Sequence, residues 1–139
     1  MLTPSRTRYR KPHRGNTRGM VTNGNSRVLY GSYGLMALEP SWITANQIES
    51  ARIAINRVVK KYGRTWIRIF PDKPFTKKPA ETRQGSGKGN VEGYVAVVRP
   101  GQIMFEVDIA LGAETCRMAL TRAGHKLPIK WRIEEKVNL

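Results

Sequence analysis

The first acidic residue of this 139-residue chain is Glu39, and that absence limits what the N-terminal segment can become. Arg6, Arg8, Arg10, Lys11, Arg14 and Arg18 crowd residues 1–24 with no carboxylate to offset them, and Tyr9 and His13 stand among them. Such a segment cannot bury enough apolar area to fold alone. Two readings follow: a solubilising tail, or an arm that orders against phosphates. The second is favoured. Arg6, Arg8 and Arg10 alternate, so an extended chain carries three guanidiniums on one side. Each guanidinium fork fits phosphate bidentately, and Tyr9 is able to stack on a base or sugar. Pro4, Pro12, Gly15 and Gly19 break the amphipathic helix that an arginine-rich organelle presequence needs.

The core must therefore come from residues 25–133, read as one domain. With 40% hydrophobic residues the chain has enough for a modest core. A formal net charge of +15 points to a polyanionic partner, since association with phosphate relieves the self-repulsion. Cys116 is the only cysteine and His13 and His125 the only histidines, which argues against a disulfide framework and a metal site. No apolar run approaches a membrane span, and the N-terminus lacks the apolar core of a secretory signal.

Patterns of period 2 and 3.6 lay out the domain. Residues 27–38 read as strand, with Gly31 and Gly34 marking a bulge or bend, and Glu39-Pro40-Ser41-Trp42 ends it. Thr44 with Gln47 three residues later forms a capping box for a helix. Ile48, Ala51, Ile55, Val58 and Tyr62 follow as its apolar stripe, with Gly63 as its stop. Arg52, Arg57, Lys60, Lys61 and Arg64 gather toward that end, where they suit the helix dipole or contact phosphate. Residues 65–70 alternate, Ile67 and Ile69 against Trp66, Arg68 and Phe70. Tyr94 to Val98 is a nearly continuous apolar strand, hence buried and central. Arg99-Pro100-Gly101 suits a type II turn, so Gln102 to Val107 is expected to return as the hairpin partner of that strand, with Ile103, Phe105 and Val107 on one face. A second helix is expected over 113–125, with Cys116, Ala119, Leu120 and Ala123 as core. Pro128 ends it, and residues 129–133 close the sheet, carrying Lys130 and Arg132. Residues 134–139 are a mixed-charge tail. The expected fold is α+β: a sandwich of an antiparallel or mixed sheet with two helices on one face, plus the basic arm and a long loop.

That loop begins at Phe70-Pro71-Asp72-Lys73-Pro74 and runs through Lys77-Lys78-Pro79 to Arg83-Gln84-Gly85-Ser86-Gly87-Lys88-Gly89. Its glycines allow close backbone approach, and its cations suit phosphate. It is not a nucleotide loop. A Walker sequence needs glycine where Thr82 stands and a hydroxyl where Gly89 stands. The Gly-x-Gly-x-Gly spacing also misses the dinucleotide fingerprint, and a strand pattern follows where a helix should. Nothing places a nucleophile or acid beside His125, so neither cofactor nor catalytic residue is expected.

Several long motifs resemble one family. Ala37-Leu38-Glu39-Pro40-Ser41-Trp42-Ile43-Thr44 with Gln47-Ile48-Glu49, Trp66-Ile67-Arg68-Ile69-Phe70-Pro71-Asp72-Lys73-Pro74, Gly85-Ser86-Gly87-Lys88-Gly89, Val95-Ala96-Val97-Val98-Arg99-Pro100-Gly101 and His125-Lys126-Leu127-Pro128-Ile129-Lys130 are similar to segments of the bacterial and organelle-type large-subunit ribosomal protein sixteen family, in order and at the expected spacing. Arg8-Tyr9-Arg10-Lys11 with His13-Arg14-Gly15 resembles its N-terminal signature. The resemblance implies a structural, non-enzymatic constituent of the large ribosomal subunit. It would bind large-subunit rRNA beside the aminoacyl-tRNA site and the peptidyl-transferase centre, and support late assembly and tRNA positioning. Expected partners are large-subunit rRNA, A-site or P-site tRNA and neighbouring large-subunit proteins, with no membrane and no homo-oligomer. The rRNA-binding residues expected are Arg6, Arg8, Arg10, Lys11, His13, Arg14, Arg18, Lys73, Lys77, Lys78, Lys130 and Arg132. Arg83, Gln84, Gly85, Ser86, Gly87, Lys88 and Gly89 would reach toward tRNA and the peptidyl-transferase region. Gln84 stands where the family usually has methionine, so hydroxylation of Arg83, found in some bacterial members, is not expected. The opening Met1-Leu2-Thr3-Pro4-Ser5-Arg6-Thr7-Arg8 resembles plastid members, which favours the chloroplast stroma over a bacterial cytoplasm or mitochondrial matrix.

Overall fold

The computed structural model describes residues 2–5, 26–76, 91–110 and 112–137; the side chains of residues 76, 91 and 92 are not described. The fold is α+β, as the patterning requires, with seven strands in two wholly antiparallel sheets. In chain order these are β1 (Tyr33–Ala37), β2 (Ser41–Thr44), α1 (Ala45–Val59), β3 (Gly63–Ile67), β4 (Lys73–Thr76), β5 (Val91–Val98), β6 (Ile103–Ile109), α2 (Ala113–Gly124) and β7 (Trp131–Glu135). One sheet has the order β3-β6-β1-β7, the other β2-β5-β4.

Helix α1 forms where its cap demands. Thr44 Oγ1 accepts from the Gln47 backbone N–H, and Gln47 Oε1 accepts from the Thr44 N–H. Two orphan donors are thus satisfied by one reciprocal pair. Its buried stripe is Ile48, Ala51, Ala54, Ile55 and Val59. Val58 is only half-buried and Tyr62 is exposed, so the expected stripe was rotated by a residue at its end. Gly63 is not the helix stop either. The chain leaves α1 through a 3-10 turn at Lys60–Tyr62, with Lys60 at φ 53°. Gly63 opens β3 in extended backbone, and the space there admits nothing larger. A Cβ would lie 2.6 Å from the Asp108 carbonyl oxygen and 2.8 Å from Val59 Cγ1.

The largest correction concerns β5 and β6. The turn between them forms: Gly101 sits at φ 87° and the Gln102 N–H donates to the Arg99 carbonyl at 3.1 Å. The hairpin does not. Strand β5 pairs with β2 and β4, while β6 pairs with β1 and β3. Every hydrogen-bonding edge of both strands is therefore taken by another partner. At the turn itself, Ala37 of β1 donates to the Gln102 carbonyl at 2.9 Å and accepts from the Gly101 N–H at 2.8 Å. The end of β1 occupies the edge that β5 would need.

Strands β2 and β4 fall where the sequence suggests a strand end and a proline-pinned turn. Each is four residues long and lies on an edge, and Pro74 in β4 is tolerated for that reason. A register shift between Leu35 and Met36 sets Leu35 against Phe105 and Met36 against Ile103, leaving Met104 as the extra residue. A one-residue slip exchanges faces. Met104, Phe105, Val107 and Ile109 consequently join the main core, while Ile103 packs with Val28 and Met36.

The core lies between the sheets and the helices. Tyr33, Leu35 and Ala37 of β1, Phe105 and Val107 of β6, Ile43 and Val98 of the second sheet, and the stripes of both helices form one cluster. Cys116, Ala119, Leu120 and Ala123 are all buried there as expected. Burial pushes the Cys116 thiol pKa up. Gly124 closes α2 against the Trp131 indole, so near that a Cβ would lie within 2.2 Å of the ring. Strand β7 runs through Glu135, paired with Tyr33, and so includes Glu134 and Glu135 of the expected tail.

Candidate nucleic-acid interface

The structure first shows how the two cation-rich segments are rooted. Strands β4 and β5 are antiparallel neighbours whose register ends at Thr76 opposite Val91. Facing residues of an antiparallel pair have Cα atoms about 4.5–5.5 Å apart. Thr76 and Val91, which flank residues 77–90 in the chain, therefore stand together at the end of a two-stranded ribbon. Strand β2 pairs with the far half of β5, Val95 to Val98, and within the ribbon the Phe75 ring lies over Gly93, where an added Cβ would be 3.0 Å from it. At the base, Lys73 Nζ stands 4.6 Å from the centre of the Trp42 ring. Cation–π contact of that kind holds the lysine while leaving its charge intact.

The other root is built on an acid. Glu106 is fully buried, on the face of β6 that also carries Trp66 across the register on β3. Its Oε1 accepts from three successive backbone N–H groups, those of Leu29 at 2.7 Å, Tyr30 at 2.8 Å and Gly31 at 3.2 Å. Its Oε2 faces Arg68 Nη1 at 3.2 Å as an ion pair, outside hydrogen-bond geometry. Arg68 directs that nitrogen's hydrogen bond to the Arg27 carbonyl at 2.5 Å. One buried carboxylate and one nearly buried guanidinium thus hold residues 27–31 across the sheet. Val28 sits over Gly34, where a Cβ would come within 2.7 Å of it. These residues are not the continuation of β1 that alternation suggests; they form a loop whose donors a side chain satisfies instead of a strand.

Leu2 is half-buried against the core and lines a hollow with Tyr30, Arg68 and Phe70. Leu2, Tyr30 and the Arg27 carbonyl therefore all lie beside Arg68.

Of the residues expected at the interface, Arg6, Arg8, Arg10, Lys11, His13, Arg14, Arg18, Lys77, Lys78 and Arg83 to Gly89 lie outside the described residues. Lys73, Lys130 and Arg132 lie within them, and the fold does not bring all three together. Lys73 begins β4, an edge strand of the smaller sheet. Lys130 and Arg132 lie at and in β7, an edge strand of the larger one. Lys130 is exposed, and its backbone N–H donates to Glu39 Oε1 at 2.7 Å. Arg132 pairs with Glu134, a carboxylate that competes with phosphate for it. On the helices, Arg52 pairs with Glu49, whose carboxyl it holds below the ordinary glutamate range through their hydrogen bond. Arg57, Lys60, Lys61 and Arg64 are exposed.

Sequence reasoning missed Glu106, Arg68, Tyr30 and Trp66 as a unit. One signal was present: Glu106 interrupts the apolar run from Ile103 to Val107 in an acid-poor chain. Among the described residues no group of three or more His, Cys, Asp or Glu side chains is placed to hold a metal ion.

An α+β body of net charge +15, with cation-rich segments next in sequence to the β4–β5 ribbon and to the loop held by Glu106, defines a class, that of proteins built to sit against a polyanion. Residues 4–134 match the family model described as ribosomal protein L16p/L10e, and the chain belongs to that family. It is accordingly a structural protein of the large ribosomal subunit, a ribonucleoprotein component that binds rRNA and works in translation beside other ribosomal proteins.

Proposed function

We propose that this protein binds large-subunit rRNA beside the aminoacyl-tRNA site and the peptidyl-transferase centre, and there supports late subunit assembly and the placing of A-site or P-site tRNA. The observation that carries the reading is the β4–β5 ribbon. Its strands flank Arg83 to Gly89 in the chain and end side by side at Thr76 and Val91, which suits a loop that must enter a crowded RNA groove. Glycines lower the steric cost of that approach, and Arg83 and Lys88 neutralise phosphate. Residues 6–25 supply the second contact through Arg6, Arg8, Arg10, Lys11, His13, Arg14 and Arg18. Lys73 at the start of β4, with Lys77 and Lys78 after that strand in the chain, adds to the contact, and Lys130 and Arg132 add a further one at β7. On this reading the protein positions RNA and supplies no acid or base, residues 25–133 form the single folded domain, and it works as one copy. The resemblance of its first eight residues to plastid members supports a chloroplast ribosome.

Sedimentation of a native lysate through a sucrose gradient, at low and at high salt, tests the placement. Co-migration with the large subunit that survives moderate salt is expected of a protein buried in rRNA. Release at modest salt marks a peripheral electrostatic binder and refutes the proposal, since purely phosphate-driven association falls steeply with salt. Organelle fractionation of the same lysate separates the chloroplast from the other compartments.

A further inference from the structure

We propose that the hollow between Tyr30 and Phe70 is a binding site for one unstacked nucleobase of a single-stranded RNA segment; the inference rests on the rRNA-binding reading above. Tyr30 is unusually well prepared for stacking. Its ring lies on the Trp66 indole, with centroids 6.3 Å apart and planes 24° from parallel. The Arg68 guanidinium carbon is 5.6 Å from its centre. Its backbone N–H is held by Glu106 Oε1. Yet the residue is 59% exposed, and Phe70 is 46% exposed. A ring stacked on Trp66 and still more than half exposed is a platform part of whose ordering cost has been met before any ligand arrives.

The two rings line one open hollow of about 400 Å³, with Leu2, Ile67, Arg68 and Ile69 completing it. That is within the range of small-ligand sites, about 300–1,000 Å³. Aliphatic and aromatic side chains line it together with Arg68, so it offers apolar contact to a flat ring beside a guanidinium. The Arg68 guanidinium, paired with Glu106, lies in the lining and against the Tyr30 ring, which puts a cation beside the platform. With a net charge of +15 on the chain, the occupant best matched to both features is an aromatic ring borne on a phosphate backbone. Base–aromatic stacking is tolerant of sequence because every base has a π face. The site therefore selects for an unpaired nucleotide and not for a particular base.

The test is fluorescence-anisotropy binding of the full-length protein to purified large-subunit rRNA and to a single-stranded adenine oligonucleotide, over a series of salt concentrations. Tyr30→Ala should weaken binding by about 5- to 150-fold, the range for loss of one stacked base. Tyr30→Phe should stay close to wild type, since the ring is retained. Phe70→Ala should also weaken binding, and its exposed position makes misfolding an unlikely cause. The slope of log affinity against log salt should not change, because no phosphate contact is removed. Wild-type affinity in both alanine variants overturns the inference. So does a loss in Tyr30→Ala accompanied by a flatter salt slope, which means that the neighbouring cationic segment was displaced. Normal rRNA binding with failure to enter large subunits assigns the hollow to an apolar side chain of another ribosomal protein, and also overturns it. If the wild-type protein itself fails to bind rRNA, the proposed function falls and the base site falls with it; if only the variants behave as wild type, the base site falls alone.

Discussion

Replacing Arg68 by methionine keeps most of the side-chain volume and removes the charge. Glu106 then remains fully buried, still accepting from three backbone N–H groups but without its cation. Leaving one member of a buried ion pair unpartnered costs about 3–5 kcal/mol. Unfolding entropy of about 2.1 cal/mol/K per residue makes each kcal/mol worth roughly 3.5 °C in a chain of this length. The expected fall in thermal midpoint is therefore roughly 10–17 °C, read by calorimetry or circular dichroism on the isolated protein. Arg132→Ala is the matched control. Its pair with Glu134 is more than half exposed on the arginine side, so the cost should be under about 1 kcal/mol. Glu106→Gln completes the design: its amide oxygen still serves the three N–H donors, while Arg68 loses its counter-charge. The double variant should cost less than the two single changes added together, because the charge left unpaired in each single variant is gone. Should Arg68→Met behave like Arg132→Ala, the pair does not hold residues 27–31, and the account of how the basic segment is rooted is wrong.

Other outcomes follow from the same structure. Gly124→Ala places a methyl inside the Trp131 ring contact and should cost about 1–3 kcal/mol by overpacking; a neutral effect in chemical denaturation would show that β7 gives way freely. Because burial raises the Cys116 thiol pKa, the folded chain keeps that proton to higher pH than the unfolded chain. The contribution to stability is thus fully present below the unfolded thiol pKa of about 8.5 and is lost as pH rises through the folded value. Labelling of Cys116 by a thiol reagent at pH 8 should be roughly tenfold or more slower in the native protein than in denaturant, and equal rates would refute its burial. Arg83→Ala with Lys88→Ala should leave the thermal midpoint of the isolated protein nearly unchanged while impairing its incorporation into large subunits or their translation; a matching loss of stability would count against a role in RNA contact.

Local interactions made part of this fold legible without coordinates. The reciprocal bonds of Thr44 and Gln47 span three residues, so spacing alone locates the start of α1. The stripe of α2, the turn at Pro100–Gly101 and the alternation of Ile67 and Ile69 against Trp66 and Arg68 are likewise set within one or two turns of chain. The cation-rich segments are legible for a different reason: charge density needs no folding to be read, and the family motifs lie in contiguous runs.

What remained hidden depends on competition between distant partners. A turn cannot reveal whether its two strands will pair with each other, and here β1 took the edge of β6 while β2 and β4 took both edges of β5. The extra residue at Met104 exchanged the faces of β6, a change that no period-2 pattern can report from within one strand. Glu106 reads as an oddity until tertiary structure sets it against donors more than seventy residues away and against Arg68. Sequence by itself determined the helices, the cationic segments and the family, because those rest on short-range spacing and on composition. Tertiary structure alone decided which strands pair and where the basic segments are rooted, because an edge, a buried charge and a shared face exist only once remote parts of the chain compete for the same space.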